Sequence, residues 1–280
     1  MIVLSLNCGS SSAKYRLYDY DKKETLATGI VERVGIGKSY INQAGLGREP
    51  IKFDHECANH KEAIKLIIDT LLDPKIGVLD DLKKISAVGH RVVHGGEKFT
   101  KSVKIGPETI ETFKSLFSLA PLHNPPNVLG IEAALDVLPG IPHVAIMDTA
   151  WHQTMPASSY MYALPYEWYE KYGVRRYGFH GTSFLYVAKR AALLLGKDTF
   201  DCNLVCLHIG NGVSANAIKK GVSYDTSMGL TPLEGLVMGT RAGDHDAAID
   251  LMIMEKEGKT PKEMNDILNK KSGLLGITGK

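Results

Sequence analysis

The residues best suited to chemistry lie in a short polar stretch near the start of the chain: Asn7, Cys8, Gly9, Ser10, Ser11 and Ser12, with Lys14 just beyond. Hydroxyl donors, free backbone N–H groups and a nearby ammonium together suit the oxygens of a phosphate. Serine-rich turns also arise for a purely local reason, because serine bonds its own backbone. The design returns, however, at His208, Ile209, Gly210, Asn211 and Gly212. When Gly9 is laid on Gly210, Leu6 falls on Leu207, Asn7 on His208 and Ser11 on Gly212. Two such tips predict two similar halves facing one cleft, where a polyanion meets backbone donors from both sides.

Other charged and flexible residues gather at 90–96 (His90, Arg91, Val92, Val93, His94, Gly95, Gly96), at 123–127 (His123, Asn124, Pro125, Pro126, Asn127), around His180, and at 238–244 around Arg241. Asp148 stands alone after the apolar run 143–147. Strands and turns that end in His, Arg and Asp are how α/β folds deliver side chains to a site at strand carboxyl ends. The Gly37-Lys38-Ser39 triplet resembles the end of a P-loop, but that motif needs glycine where Glu32 stands.

The elements that must hold these residues are readable from periodicity. Residues 2–6 form an apolar run and 14–20 alternate in character, which predicts a strand, a tight turn and a returning strand. Residues 204–215 repeat that order. A further strand is expected at 26–34, turns at 35–47, and brief strands at 85–89 and 143–147. Ala63, Ile64, Ile67, Ile68 and Leu71 fall at helical spacing within 60–72. The prolines at 125 and 126 make a rigid turn before an amphipathic helix over 128–138. The tyrosines at 160, 162, 166, 169 and 172 read as packing within a connection between halves. Thr182 and Ser183 can cap a helix running to Leu195, which Gly196 stops. A helix is expected at 247–254. Thr260, Pro261 and Glu263 make a capping box with proline at the first helical position, so another helix runs towards Lys271. Residues 272–280 read as the entry to a turn.

A chain of 280 residues points to about two domains. With 44% hydrophobic and 23% charged residues, each half can bury a core. A net charge of +2 is too mild to argue for nucleic acid or a membrane surface. Cys8, Cys57, Cys202 and Cys206 lack the paired spacing of a zinc site or a disulfide framework, and read as buried thiols. No leader-like start and no run of membrane-spanning length is present, so a reducing cytoplasm is the expected compartment.

Taken together, residues 7–12 with Lys14, then 90–96, 122–127, 177–182, 208–212 and 238–243, resemble the motifs of the acetate kinase family, in one order across all 280 residues. The resemblance implies an α/β, two-domain actin-like ATPase (ribonuclease H-like) fold with a duplicated βββαβαβα core. Its domains would be 1–149 and 150–280, the second incomplete. It implies reversible, ATP-dependent phosphorylation of acetate to acetyl phosphate, with magnesium (or manganese) and a homodimer. Arg91 and Arg241 would clamp the carboxylate and the phosphoryl oxygens, His180 would stabilise the transition state, and His123 would make a second phosphoryl contact. Asp148 would orient an arginine and, with Asn7, hold the metal. Asn7, Ser10, Ser12, Lys14, His208, Gly210, Asn211 and Gly212 would contact nucleotide phosphates. Val93, Leu122, Phe179 and Pro232 would form an apolar pocket for the acetate methyl group.

The chemistry is consistent with those residue types. A carboxylic acid with a pKa of roughly 4 to 5 is ionised at neutral pH, so its attack on phosphorus needs no general base. The reaction needs positioning and neutralisation of charge on the equatorial oxygens, which Arg, His and a metal ion provide. One added methylene is worth only ~1 to 3 kcal/mol in an apolar pocket, so propionate is expected to be a poorer substrate rather than an excluded one. Family members are expected to continue past the counterpart of Lys280, through a glycine-rich adenosine-binding segment and a late metal-binding glutamate, so this chain is expected to bind nucleotide weakly. Two other readings stay open: a propionate or butyrate kinase, and a non-catalytic nucleotide-binding module of the same fold.

Overall fold

The first hairpin sets the architecture. In the computed structural model, which describes residues 1–280, β1 (Ile2–Cys8) pairs antiparallel with β2 (Ser12–Asp19), from Ile2 opposite Asp19 to Cys8 opposite Ala13. The inward residues Leu4, Leu6, Tyr15 and Leu17 are buried, as strand alternation requires. The chain divides into two compact units, Met1–Met147 and Asp148–Lys280.

In the first unit the meander continues through β3 (Glu24–Glu32), β4 (Tyr40–Gly45) and β5 (Ile51–Asp54). Helix α1 (His60–Leu72) then leads to β6 (Ile85–Val92), which lies parallel to β1. The short β7 (Val103–Lys104) and α2 (Pro107–Ser115) precede α3 (Asn124–Val137) and β8 (His143–Met147), which is parallel to β6. The sheet order is β5-β4-β3-β2-β1-β6-β8-β7. Apolar residues of α1 and α3 close the core over the sheet, among them Ile64, Ile67, Leu71 and Ala134.

The second unit begins with α4 (Ala157–Tyr160), α5 (Tyr166–Tyr172) and α6 (Gly181–Leu194). The antiparallel strands β9 (Leu204–Ile209), β10 (Val213–Lys219) and β11 (Val222–Thr226) follow, in the order β11-β10-β9. The helices α7 (Ala247–Glu257), α8 (Pro261–Lys270) and α9 (Gly273–Thr278) complete it. The three-stranded start of the first unit is therefore repeated, while its parallel strands have no counterpart. This is the actin-like ATPase (ribonuclease H-like) α/β fold.

Several expectations change. Residues 35–47 are not all turns, because β4 occupies 40–45. Its inward Gln43 disguised the strand; the buried amide accepts from Tyr15 Oη (2.6 Å) and donates to the Ile76 carbonyl (3.2 Å). Strand β6 runs past Gly89 to Val92, so His90 and Arg91 belong to it. Helix α3 starts four residues before the expected 128, with proline in a first turn whose N–H groups need no helical partner. Helix α6 is not capped by Thr182 or Ser183; its cap is His180, in the left-handed region at φ 57°. Residues 272–280 contain α9 rather than only a turn. The capping box at Thr260 forms as expected.

Candidate functional site

In the first unit the carboxyl ends of parallel strands bring Asn7 and Arg91 together. Leu6 of β1 pairs with His90 of β6, so the next residue of each strand emerges at the same sheet edge. Arg91 Nη1 donates to Asn7 Oδ1 at 3.4 Å. The serine tip is closed by Gly9 N donating to the Ser12 carbonyl (2.8 Å), and buried His60 Nε2 donates to the Gly9 carbonyl (2.7 Å). Ser10 and Lys14 are exposed and Ser12 is half-buried.

Two buried asparagines brace this edge. Asn127 accepts from Val93 N (3.0 Å) and donates to the Cys8 carbonyl (2.6 Å), tying the ends of β6 and β1 to one helix. Asn124 accepts from His94 N (3.1 Å) and donates to the His94 carbonyl (2.9 Å). A Cβ on Gly130 would lie 2.5 Å from Cys8 Sγ, so only glycine lets α3 approach β1 this closely. Burial pushes the Cys8 thiol up to about 12, which keeps it protonated and unreactive.

The concentration of cations expected at 90–96 reduces to Arg91. Burial takes His90 down to about 3 and His94 down to about 4, leaving both neutral at pH 7. His90 instead stacks on His143 in the core, with Nε2 2.8 Å from Nδ1. His123 is the half-buried N-terminal flank of α3. Of the apolar residues expected around a methyl group, Val93 and Phe179 are buried, Pro232 is half-buried, and Leu122 is 66% exposed.

The second unit gathers the other candidates. His180 and His208 stack with ring centroids 3.9 Å apart and planes 24° apart. Each ring has its Nδ1 on a serine hydroxyl: His180 on Ser214 (2.7 Å), His208 on Ser183 (2.9 Å). Around Gly212, a built Cβ would lie 3.3 Å from Arg241 Nη1 and 3.4 Å from His180 Cε1. The glycine thus leaves a small space bordered by a guanidinium and an imidazole. Arg241 Nη1 is aimed by the Pro232 carbonyl (3.1 Å), and Gly239 N bonds the Asn211 carbonyl (3.2 Å).

Asp148 follows β8 and is 2% exposed, and its carbonyl accepts from Gly181 N at 3.0 Å, beside His180. No group of three or more His, Cys, Asp or Glu side chains is placed to hold a metal ion. A magnesium ion carried on nucleotide phosphates needs only one or two protein carboxylates, so a single one at Asp148 meets the minimum count. Asn7 offers an amide oxygen, which here faces Arg91.

Sequence reasoning singled out the two hairpin tips, Arg91, Asp148, His180 and Arg241. It missed the residues that hold them: His60, Asn124, Asn127, Ser183 and Ser214. The asparagines left a trace, as polar residues flanking the proline pair. Ser214 left none and Ser183 read only as a helix cap, because each acts through a partner distant in sequence.

The repeated hairpins and the sheet order define the class of protein as an α/β chain of the actin-like ATPase fold. More narrowly, the chain belongs to the Acetokinase family, whose model matches residues 2–280. It is 64% identical over 280 residues to an acetate kinase of Geobacter metallireducens, covering 100% of this chain and 66% of that protein. The chain thus spans just under two thirds of that relative. Among solved structures, an acetate kinase of Porphyromonas gingivalis superposes with a TM-score of 0.95 at 47% identity, over 99% of this chain and 70% of that one. A propionate kinase from Francisella tularensis superposes with a TM-score of 0.92 at 43% identity, over 99% and 70%. No helix is long and apolar enough to cross a membrane.

Proposed function

We propose that this chain is a carboxylate kinase that transfers the terminal phosphoryl group of ATP to acetate, reversibly, giving acetyl phosphate and ADP. The observation that carries the reading is the space at Gly212, bordered by Arg241 Nη1 and His180. Those groups donate hydrogen bonds or positive charge, as an equatorial phosphoryl oxygen requires. An acetate oxygen forms the new P–O bond as the bond to the ADP oxygen breaks, and the electron pair leaves with ADP. No proton moves, because acetate enters ionised.

Within this reading, Arg91 and Arg241 neutralise the carboxylate and phosphoryl oxygens, and His180 donates to the transferring group. His123 makes a further phosphoryl contact. Asn7, Ser10, Ser12, Lys14, His208, Gly210, Asn211 and Gly212 receive the nucleotide phosphates. Asp148, with Asn7, would hold Mg2+, which supplies charge neutralisation on the phosphates. Selectivity for acetate is assigned to Val93, Leu122, Phe179 and Pro232. The homodimer and the cytoplasmic setting rest on likeness to the family, and four free, buried cysteines support a reducing compartment.

The test is ATP- and magnesium-dependent acyl hydroxamate formation from acetate, propionate and butyrate in hydroxylamine. Acetate-led activity that Arg241→Ala lowers about 1000-fold supports the proposal. A folded chain that binds nucleotide but forms no hydroxamate overturns it in favour of a binding module. Preference for a longer acid would assign the propionate or butyrate kinase reading instead.

A further inference from the structure

His180 sits in a left-handed backbone conformation, φ 57° and ψ 20°, which non-glycine residues adopt uncommonly. The turn leading to it is gripped from one side by His152, a fully buried side chain to which neither the fold nor the reaction has so far given a role. His152 Nε2 lies 2.9 Å from the Phe179 carbonyl and Nδ1 lies 2.8 Å from Ser223 Oγ. The ring also fills the space beside Gly178, where a Cβ would come within 2.7 Å of His152 Cδ2.

The direction of every hydrogen bond in this chain of contacts follows from its ends. A carbonyl only accepts, so His152 Nε2 carries the proton donated to Phe179. A neutral ring then has a lone pair on Nδ1, and the Ser223 hydroxyl must donate to it. Ser223 Oγ in turn accepts from Asn216 Nδ2 (2.8 Å), whose other proton goes to the Asp225 carbonyl (2.7 Å). Asn216 Oδ1 accepts from Trp151 Nε1 at 2.9 Å. His152, Asn216 and Ser223 are each essentially excluded from solvent, so no water can substitute for a lost member. Burial takes His152 down to about 4, which supplies the neutral ring that this order assumes.

We propose that His152 is a positioning residue for His180: held as the Nε2–H tautomer by Ser223 and Asn216, it fixes the Phe179 carbonyl and thereby the left-handed turn that presents the His180 ring to Ser214 and the space at Gly212. The inference rests on the phosphoryl-transfer role given to His180 above. A misplacement of about 1 Å in a catalytic group can cost on the order of 100-fold in rate, which sets the expected size of the effect.

The experiment compares wild type with His152→Leu, His152→Gln and Ser223→Ala, by hydroxamate kinetics and by long-range proton–nitrogen spectra of the histidine rings. His152→Leu should lower kcat about 100-fold with KM for ATP within about twofold. His152→Gln, whose amide can still donate to Phe179, should recover most of the loss. Ser223→Ala should lower kcat about tenfold at a temperature where the variant remains fully folded, and it carries the test if the leucine variant does not fold. In the spectra His152 should be the Nε2–H tautomer, and the His180 nitrogen shifts should move in the leucine and alanine variants and return in the glutamine one. An Nδ1–H tautomer, unmoved His180 signals, or a loss of kcat only in parallel with melting temperature overturns the proposal. The spectra need no turnover. A wild type without hydroxamate activity would therefore sink the kinase reading while the His180 shifts still decided the role of His152.

Discussion

The Gly212 space depends on two side chains aimed by groups other than themselves. Arg241 is fixed by a backbone carbonyl, and its partial burial lowers its pKa without removing its charge. His180 is fixed through Nδ1 by Ser214, which is wholly buried. In Ser214→Ala the ring loses the partner that selects its tautomer. We expect kcat for acetate to fall about tenfold with little change in KM, measured as hydroxamate formation under saturating ATP. Equal loss in kcat and kcat/KM would place the interaction in the transition state, whereas a rise in KM alone would contradict the assignment. Arg241 and His180 were legible in the sequence as glycine-flanked polar residues. Ser214 was not, since it is one alternating position of a strand, and its role exists only once α6 packs His180 against it.

Between residue and domain, short backbone contacts decide where the site loops lie. The N-terminus of α9 donates from Ser272, Leu274 and Leu275 N to the carbonyls of Thr240, Met238 and Gly239, at 3.1, 2.9 and 2.9 Å. These N–H groups have no partner within their own helix, and the loop carrying Arg241 satisfies them. Gly273 makes the contact possible: its φ is +63°, and a Cβ would lie 2.5 Å from the Arg241 carbonyl. Gly273→Ala should therefore loosen the Arg241 loop and cut kcat at least tenfold, with hydrogen exchange at Leu274 and Leu275 accelerated. Unchanged exchange would show that the clasp does not hold the loop. In the first unit, Asn127→Ala leaves Val93 N and the Cys8 carbonyl buried without their partner. A loss of about 2–4 kcal/mol in urea unfolding is expected, and less than 1 kcal/mol would mean that water replaces the amide. Helix α9 was not legible, because a Gly-Leu-Leu-Gly run has little helical propensity and gains its helix from the loop it caps.

At the scale of the whole molecule, buried histidines govern the response to acid. His90, His94 and His152 are lowered by burial from 6.5 to about 3, 4 and 4. Their unfolded forms take up protons below pH 6.5 that the folded forms refuse until pH 4 or below. The stability they lend is thus complete above pH 6.5 and is lost as pH falls through that window, by up to about 1.4 kcal/mol per pH unit for each histidine. His245 runs the other way: its hydrogen bond to Asp250 raises its pKa, so its smaller contribution is present in acid and fades as pH rises. Melting temperature should therefore decline steadily between pH 6.5 and 4. His90→Asn should flatten that slope, and an unchanged slope would mean that His90 titrates normally.

The sequence by itself determined the α/β class, the repeated hairpin and the order of motifs, because strand alternation, helical spacing and turn residues act over a few neighbours. It also marked Arg91, Asp148, His180 and Arg241, whose settings among glycines and strand ends are local. Tertiary structure decided which polar residues border the candidate site and which are buried braces. His90 and His94 share a motif with Arg91, yet burial makes them neutral. Gln43 hid a strand by pointing inward to Tyr15. Thr182 and Ser183 resembled caps, but the left-handed His180 caps the helix and Ser183 turns to His208. In each case the outcome depends on a partner far along the chain, and only folding brings that partner within hydrogen-bond reach.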